Sequence, residues 1–213
     1  MNNIARKHTD AMTIRLATPE DAAAICDIYS HYVRNTAITF DIEPPTVAEL
    51  RTKIESIEER YPFLVAEEDG VIVGYSYASA FRPRAAYVHA IETSVYVRQD
   101  FKGNGTGRKL YGALEAILRL QHVYTANACI SFIDPADEYS PETSRLFHER
   151  MGYKLCAHIP NCGRKFDRWY GIIWMQKELI SPIPNDPDPF IPLPQLDRAE
   201  VSQILADAGK NQG

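Results

Sequence analysis

The ten residues from Phe101 to Leu110, FKGNGTGRKL, set glycine at positions 103, 105 and 107 beside Lys102, Arg108 and Lys109. Glycine tolerates left-handed backbone, which lets successive N–H groups point to one side, and a helix start adds unpaired N–H groups and the positive end of a dipole. A loop of that kind cradles an anion such as pyrophosphate. Two common phosphate loops do not fit. A mononucleotide loop ends in Gly-Lys-Ser or Gly-Lys-Thr, whereas Gly107 precedes Arg108 and Lys109, with no hydroxyl to hold magnesium. A dinucleotide turn needs G-x-G-x-x-G; here the third glycine comes one residue early, and no acidic ribose ligand falls where it should.

The flanking sequence supplies a strand before this loop and a helix after it. AIETSVYV, Ala90 to Val97, is rich in β-branched residues, while Leu110, Leu114, Ile117, Leu118 and, on a flanking row, Leu120 recur at helical spacing. Upstream, MTIRLA alternates as a half-buried strand does. Thr18-Pro19-Glu20-Asp21 then starts a helix with Ile25, Ile28, Tyr29, Tyr32 and Val33 on one face. Thr46 and Glu49 form a capping box for a second helix, whose buried face is Val47, Leu50, Ile54 and Ile57. Two strand-like runs meet at Glu68-Asp69-Gly70, a hairpin signal. The strand ANACISFI, a short helix opened by Ser140-Pro141-Glu142 and closed by Gly152, and the strands YKLCAHI and RWYGIIWMQKEL complete the pattern. The expected fold is α/β, a mixed sheet flanked by helices, without internal repeats.

Composition limits what this fold can do. The chain has 213 residues, a net charge of −5 and a pI near 5.7, which argues against nucleic-acid and membrane-surface partners. No apolar run is long enough to span a membrane, and MNNIARKHTDAM lacks the apolar core of a signal peptide, so residues 1–12 read as an N-terminal extension of a cytoplasmic protein. Cys26, Cys129, Cys156 and Cys162 have neither disulfide nor zinc spacing and read as buried free thiols; the histidines show no metal spacing, so no metal is expected. Six prolines between Pro182 and Pro194 make the segment after residue 180 an extended arm, and Asp197 and Glu200 could cap a short terminal helix with Val201, Ile204 and Leu205 as its apolar face.

VYVRQDFKGNGTGRKL resembles the coenzyme A loop of the GCN5-related N-acetyltransferases (GNAT), whose pattern is Gln or Arg, two residues, Gly, one residue, then Gly or Ala; Lys102 departs at the first position, while Gly105 and Gly107 match. IYSHYVRNTAITFD, YPFLVAEEDGVIVGYSYASAFRPRAAY, ETSVYV and LFHERMGY resemble the phosphinothricin acetyltransferase branch. The resemblance implies a GNAT domain over residues 13–180 with a mostly antiparallel central sheet, followed by the proline-rich arm, residues 181–213. It implies acetyl-CoA as cosubstrate and acetylation of the α-amino group of a phosphinothricin, methionine sulfoximine or methionine sulfone type of acceptor, by direct transfer. It also implies a homodimer, in which the arm could wrap a second subunit.

Site residues follow from the same resemblance and from chemistry. A thioester is attacked by a neutral amine, so a base must take a proton, and Glu92 on the strand leading into the loop is the expected base, its pKa raised by burial above a reference of about 4.3. His148 stands where the wider family carries tyrosine and is expected to hydrogen-bond the tetrahedral oxyanion or hold the substrate. The backbone of Val95 and Val97 is expected to pair with pantetheine amides. The N–H groups of Lys102, Gly103, Asn104, Gly105, Thr106, Gly107 and Arg108 are expected to meet the pyrophosphate. Arg82 and Arg84, Arg84 foremost, supply forked donors for an acceptor carboxylate, and Phe40 an apolar wall. An acceptor at a protein N-terminus, an aminoglycoside, and a non-catalytic acyl-CoA sensor stay open as alternatives. Two departures bear on the site: FIDPADEYSPETS is longer and more acidic than in relatives, which points to a reshaped cofactor entrance, and Arg164 and Asp167 differ in a loop expected to border the acceptor pocket or a dimer contact.

Overall fold

The structure, a computed structural model, describes residues 12–210. The expected N-terminal extension lies outside the described residues except for Met12, which is buried in the main core. Seven strands form one sheet: β1 (Thr13–Leu16), β2 (Phe63–Glu68), β3 (Val71–Ala80), β4 (Ala90–Val97), β5 (Thr125–Phe132), β6 (Lys154–Lys165) and β7 (Arg168–Glu178), in the order β1-β2-β3-β4-β5-β7-β6. Every neighbouring pair is antiparallel except β4 and β5. That parallel pair is short: it joins Ala90, Ile91 and Glu92 to Thr125, Ala126 and Asn127, and pairing stops there. Beyond Glu92, β4 has a free side.

Five helices cover the sheet among the described residues: α1 (Ala22–Asn35), α2 (Val47–Glu58), α3 (Thr106–Leu120), α4 (Thr143–Arg150) and α5 (Arg198–Gly209). One apolar cluster lies under α3 and includes Leu110, Leu114, Ile117 and Leu118; a second lies under α1 and α2 and includes Ile25, Ile28, Tyr32, Leu50 and Ile54. Side chains alternate across β4, so Ile91 joins the α3 cluster while Tyr96 packs with the α1 cluster.

Local signals translate directly. The Thr46 backbone N–H donates to Glu49 Oε2 at 2.7 Å while Glu49 N–H donates back to Thr46 Oγ1 at 3.2 Å, the reciprocal box that starts α2. Asp69 and Gly70 both take positive φ, 53° and 74°, in the β2–β3 turn. Thr18 caps a single 3-10 turn, Pro19–Asp21, from which α1 continues. Three expectations are corrected. Val47, the first residue of α2, is 41% exposed, and burial begins at Leu50. Cys129, Cys156 and Cys162 are exposed and Cys26 half-buried, since three of them ride on β5 and the edge strand β6, which no helix covers on that side. β6 runs on to Lys165 through an irregularity between Ile159 and Gly163. Past β7 the chain has no regular structure until a 3-10 turn, Leu193–Gln195, and α5, which docks on α3 and β1 and buries Val201 and Leu205.

Candidate active site

The strand–loop–helix unit builds the floor of a cleft. Gly103 and Gly105 take φ of 85° and 81°, and a side chain at either would be strained; Gly105 is the N-cap of α3 and offers no side-chain cap. The first N–H groups of α3 therefore face outward unpaired by any cap, and Thr106 Oγ1 is buried without a partner among the described residues. These donors line a cavity of about 640 Å³ together with Val95, Val97, Lys102, Gly103, Gly105, Gly107 and Arg108 on one side and Phe147, His148 and Arg150 of α4, with Met151 just after it, on the other. Its size suits a cofactor-sized ligand, and its donor set suits an anionic one. Of the expected cofactor set, only Asn104 does not line it; that side chain is exposed at the tip of the loop.

At the cleft wall the Tyr32 hydroxyl donates to the Val97 carbonyl at 2.5 Å and accepts from the Val97 N–H at 3.3 Å. Tyr32 thus engages both backbone groups expected to meet a ligand there. Because Val97 turns these groups away from β3, Val95, two residues earlier, turns its own the same way, into the cleft. Tyr32 belongs to the apolar stripe of α1, so sequence periodicity marks it only as core. Lys102 reaches over its ring, Nζ lying 4.9 Å from the centroid.

Glu92 sits where β4 and β5 part. It is half-buried, and desolvation raises its pKa, with the charges of Arg82 and Lys53 pulling the other way. The expected elevation is present.

His148 approaches the same junction from the α3 face and is buried. Its Nδ1 lies 2.8 Å from the Ser144 carbonyl, an acceptor only, so Nδ1 carries the proton of a neutral ring. Nε2 therefore accepts, and the Tyr111 hydroxyl, 3.0 Å from both Nε2 and Thr93 Oγ1, has one proton to share between these two acceptors; Thr93 in turn donates to the Asn127 carbonyl at 3.2 Å. Burial lowers the His148 pKa to about 4, so the ring is neutral near pH 7 and its one N–H is spent. The donor role expected of His148 toward an oxyanion has no free N–H behind it; the ring instead anchors a buried chain of hydroxyls that ends beside Glu92.

On the opposite face, Arg82 lies 4.3 Å from the Phe81 ring centroid and 5.4 Å from that of Trp174, which turns its charge toward Glu92. Arg84 is exposed at the start of the short turn Ala85–Tyr87. The structure brings Arg82, and not Arg84, to Glu92, the reverse of the expected ranking. The Phe40 ring is pressed onto Gly163: a Cβ at that glycine would stand 2.5 Å from Phe40 Cε2. Lys165, 6% exposed, donates from Nζ to the Thr39 carbonyl at 2.9 Å and so pins the loop that carries Phe40. Neither Gly163 nor Lys165 stands out in the sequence, because their partners are more than a hundred residues away.

The long acidic segment lies on this face as well. Ala37 N–H donates to the Tyr139 carbonyl at 2.8 Å, and the Tyr139 ring stacks on Phe166 at 4.3 Å. Asp137 accepts from the Ser140 and Tyr139 N–H groups, the Tyr170 hydroxyl and the Arg168 guanidinium. The segment ties the loop after α1 to the β6–β7 turn, and of this segment only residues from Pro141 onward line the cavity at the glycine loop. The expected reshaping of the cofactor entrance is therefore corrected: the insertion braces the other side. Arg164 and Asp167 pair with each other at 2.8 Å across the same turn. Among the described residues no three His, Cys, Asp or Glu side chains gather as a metal site, and no helix is long and apolar enough to cross a membrane.

Residues 14–174 match the family model described as an acetyltransferase (GNAT) domain. A phosphinothricin N-acetyltransferase of Streptomyces viridochromogenes is 34% identical over 183 residues, 86% of this chain and 95% of that protein. An L-methionine sulfoximine/L-methionine sulfone acetyltransferase of Salmonella typhimurium is 34% identical over 174 residues, 79% of this chain and 95% of its own length. Among solved structures, a GNAT superfamily phosphinothricin acetyltransferase from Sinorhizobium meliloti in complex with AcCoA superposes with a TM-score of 0.76 at 29% identity, covering 84% of this chain and 94% of that one.

Proposed function

Because this chain belongs to the GNAT acetyltransferase family, we propose that it transfers acetyl from acetyl-CoA to the α-amino group of a small amino-acid-like acceptor of the phosphinothricin, methionine sulfoximine or methionine sulfone type. The observation that carries this reading is the half-buried Glu92 at the parting of β4 and β5, with the glycine cradle on one side and Arg82 on the other. The pyrophosphate sits on the N–H groups from Lys102 to Arg108, and the pantetheine follows the free side of β4 at Val95. The thioester then lies at the mouth of the gap, next to Glu92.

The acceptor enters from the Arg82 face as an ammonium ion. Arg82 takes its carboxylate, and Phe40 flanks its methylenes. Glu92 accepts a proton from the ammonium, directly or through water. The free amine attacks the thioester carbonyl carbon, the C–S bond breaks, and the departing thiolate takes up a proton to leave as free coenzyme A. The chain through His148, Tyr111 and Thr93 holds β4 at the point of attack.

Free-thiol release from acetyl-CoA with phosphinothricin, methionine sulfoximine, methionine sulfone, unmodified amino acids, an aminoglycoside and a short peptide tests the reading. Turnover confined to the first three supports it. Turnover with the aminoglycoside or peptide instead replaces the acceptor assignment, and coenzyme A binding without any turnover replaces catalysis by a binding role.

Gly163 offers a test of the acceptor wall. Gly163→Ala forces the Phe40 ring to move, because 2.5 Å is closer than a methyl can approach carbon. The acceptor KM is expected to rise about tenfold, the scale of one methylene in a substrate pocket, with the acetyl-CoA KM unchanged.

The reading extends to a homodimer. The edge strand β6 exposes Leu155 and Ile159, and Trp169 is 57% exposed beside it, an apolar surface that a second copy would cover. Sedimentation equilibrium at micromolar concentration is expected to return twice the chain mass; a monomer there would remove the proposal.

A further inference from the structure

The arm and α5 lie beyond residue 174, where the match to the family model ends. They are nonetheless fastened to α3 at both of its ends. At the far end, Ile191 N–H donates to the Gln121 carbonyl at 3.2 Å, Gln121 Nε2 donates to the Ile191 carbonyl at 3.0 Å and to the Arg60 carbonyl at 2.6 Å, and Leu193 N–H donates to the same Arg60 carbonyl at 3.0 Å. The Phe190 ring sits 5.5 Å from Tyr61, with the Arg60 guanidinium over it at 5.0 Å. From there α5 runs back along α3, burying Val201 and Leu205. At the near end, Lys109 Nζ donates to the Gly209 carbonyl at 3.1 Å, in the last turn of α5. Gly209 is wedged in place: a Cβ there would stand 2.7 Å from the Met12 carbonyl oxygen.

Lys109 belongs to the first turn of α3, the turn whose N–H groups form the anion cradle. Its ammonium is turned away from that cradle, onto the negative end of another helix, and it does not line the cavity that Lys102 and Arg108 line. The charge expected to join the pyrophosphate site is spent on holding the site's helix. We propose that the C-terminal segment is an intramolecular brace for the coenzyme site, and that Lys109 is a positioning residue which fixes the first turn of α3 through the Gly209 carbonyl. This rests on the reading that the cradle takes acetyl-CoA.

The test measures coenzyme A affinity by calorimetry for the full chain, Lys109→Met, Gly209→Val and the double variant, with hydrogen exchange at the Thr106 to Leu110 amides recorded without ligand. Lys109→Met and Gly209→Val are each expected to weaken coenzyme A about tenfold, the typical scale of a coupling between sites, with the acceptor KM unchanged and exchange in that turn accelerated. Lys109→Arg is expected to restore most of both readouts. The double variant is expected to be no worse than either single one, because both break the same contact. Additive losses in affinity would mean that Lys109 acts on the phosphate directly, and would overturn the brace. Unchanged exchange in Lys109→Met would overturn it as well. If the parent chain itself fails to bind coenzyme A, the cofactor reading falls, while exchange still decides the brace.

Discussion

Glu92→Gln is expected to lower kcat roughly 100- to 10,000-fold, the range a positioned general base contributes, while the KM for acetyl-CoA stays put. The pH profile distinguishes this loss from a packing defect. Desolvation raises the Glu92 pKa, so in the parent enzyme kcat/KM should fall on the acid side along a limb that lies above the ordinary glutamate range. The base form is the carboxylate, so activity is present above that limb and lost below it. His148, neutral down to about pH 4, does not contribute to it. In the Gln variant the limb disappears. Stability moves the other way: a carboxyl that holds its proton more tightly folded than unfolded costs stability once ionised, so at neutral pH the Gln variant is expected to unfold at the same temperature or higher. A variant that kept full kcat would remove Glu92 from the chemistry.

Arg82→Glu is expected to reduce kcat/KM for amino-acid acceptors about 10- to 100-fold, because the acceptor carboxylate loses a hydrogen bond to a charged group, worth about 1.5–3 kcal/mol, and each ~1.4 kcal/mol is a factor of ten. Its second signature follows from electrostatics. The Arg82 cation is the first of the two charges that hold the Glu92 pKa down. Replacing it with a carboxylate moves the acid limb to higher pH, so the variant loses most at the acid end of the profile and recovers part of its rate as the pH rises. Arg84→Glu, at a position that is not among the charges acting on Glu92, is expected to have a smaller effect and no shift of the limb. Equal acceptor kinetics in Arg82→Glu and the parent would place acceptor recognition elsewhere.

Much of the site was legible before any coordinates. The glycine spacing, the strand ahead of it and the helix behind it define the cradle, and Val95, Val97, Lys102 and Arg108 all line the cavity. Resemblance added Glu92, His148, Arg82 and Phe40. Other assignments failed for identifiable reasons. Lys109 reads in the sequence only as part of the positive charge beside the glycine loop, but a helix turns by about 100° per residue, and that rotation delivers it to α5. His148 looked like a donor because histidine usually has a free nitrogen; its own helix takes one and Tyr111 takes the other. The segment from Asp134 to Ser140 gave no sign of which side it would brace, since its anchors, Ala37, Phe166 and Tyr170, come from three distant stretches.

The sequence by itself determined the pieces whose conformation depends on near neighbours: the capping box of α2, the Asp69-Gly70 turn, the glycine loop and the apolar faces of α1 and α3. These follow from φ preferences, missing N–H groups and side-chain periodicity, which act within a few residues. Only the tertiary structure decided which polar groups remain free to act. Lys165 finds the Thr39 carbonyl 126 positions away, and Lys109 finds that of Gly209 100 positions away. A buried donor must take whatever acceptor the fold sets beside it, and that acceptor is chosen by packing across the whole chain.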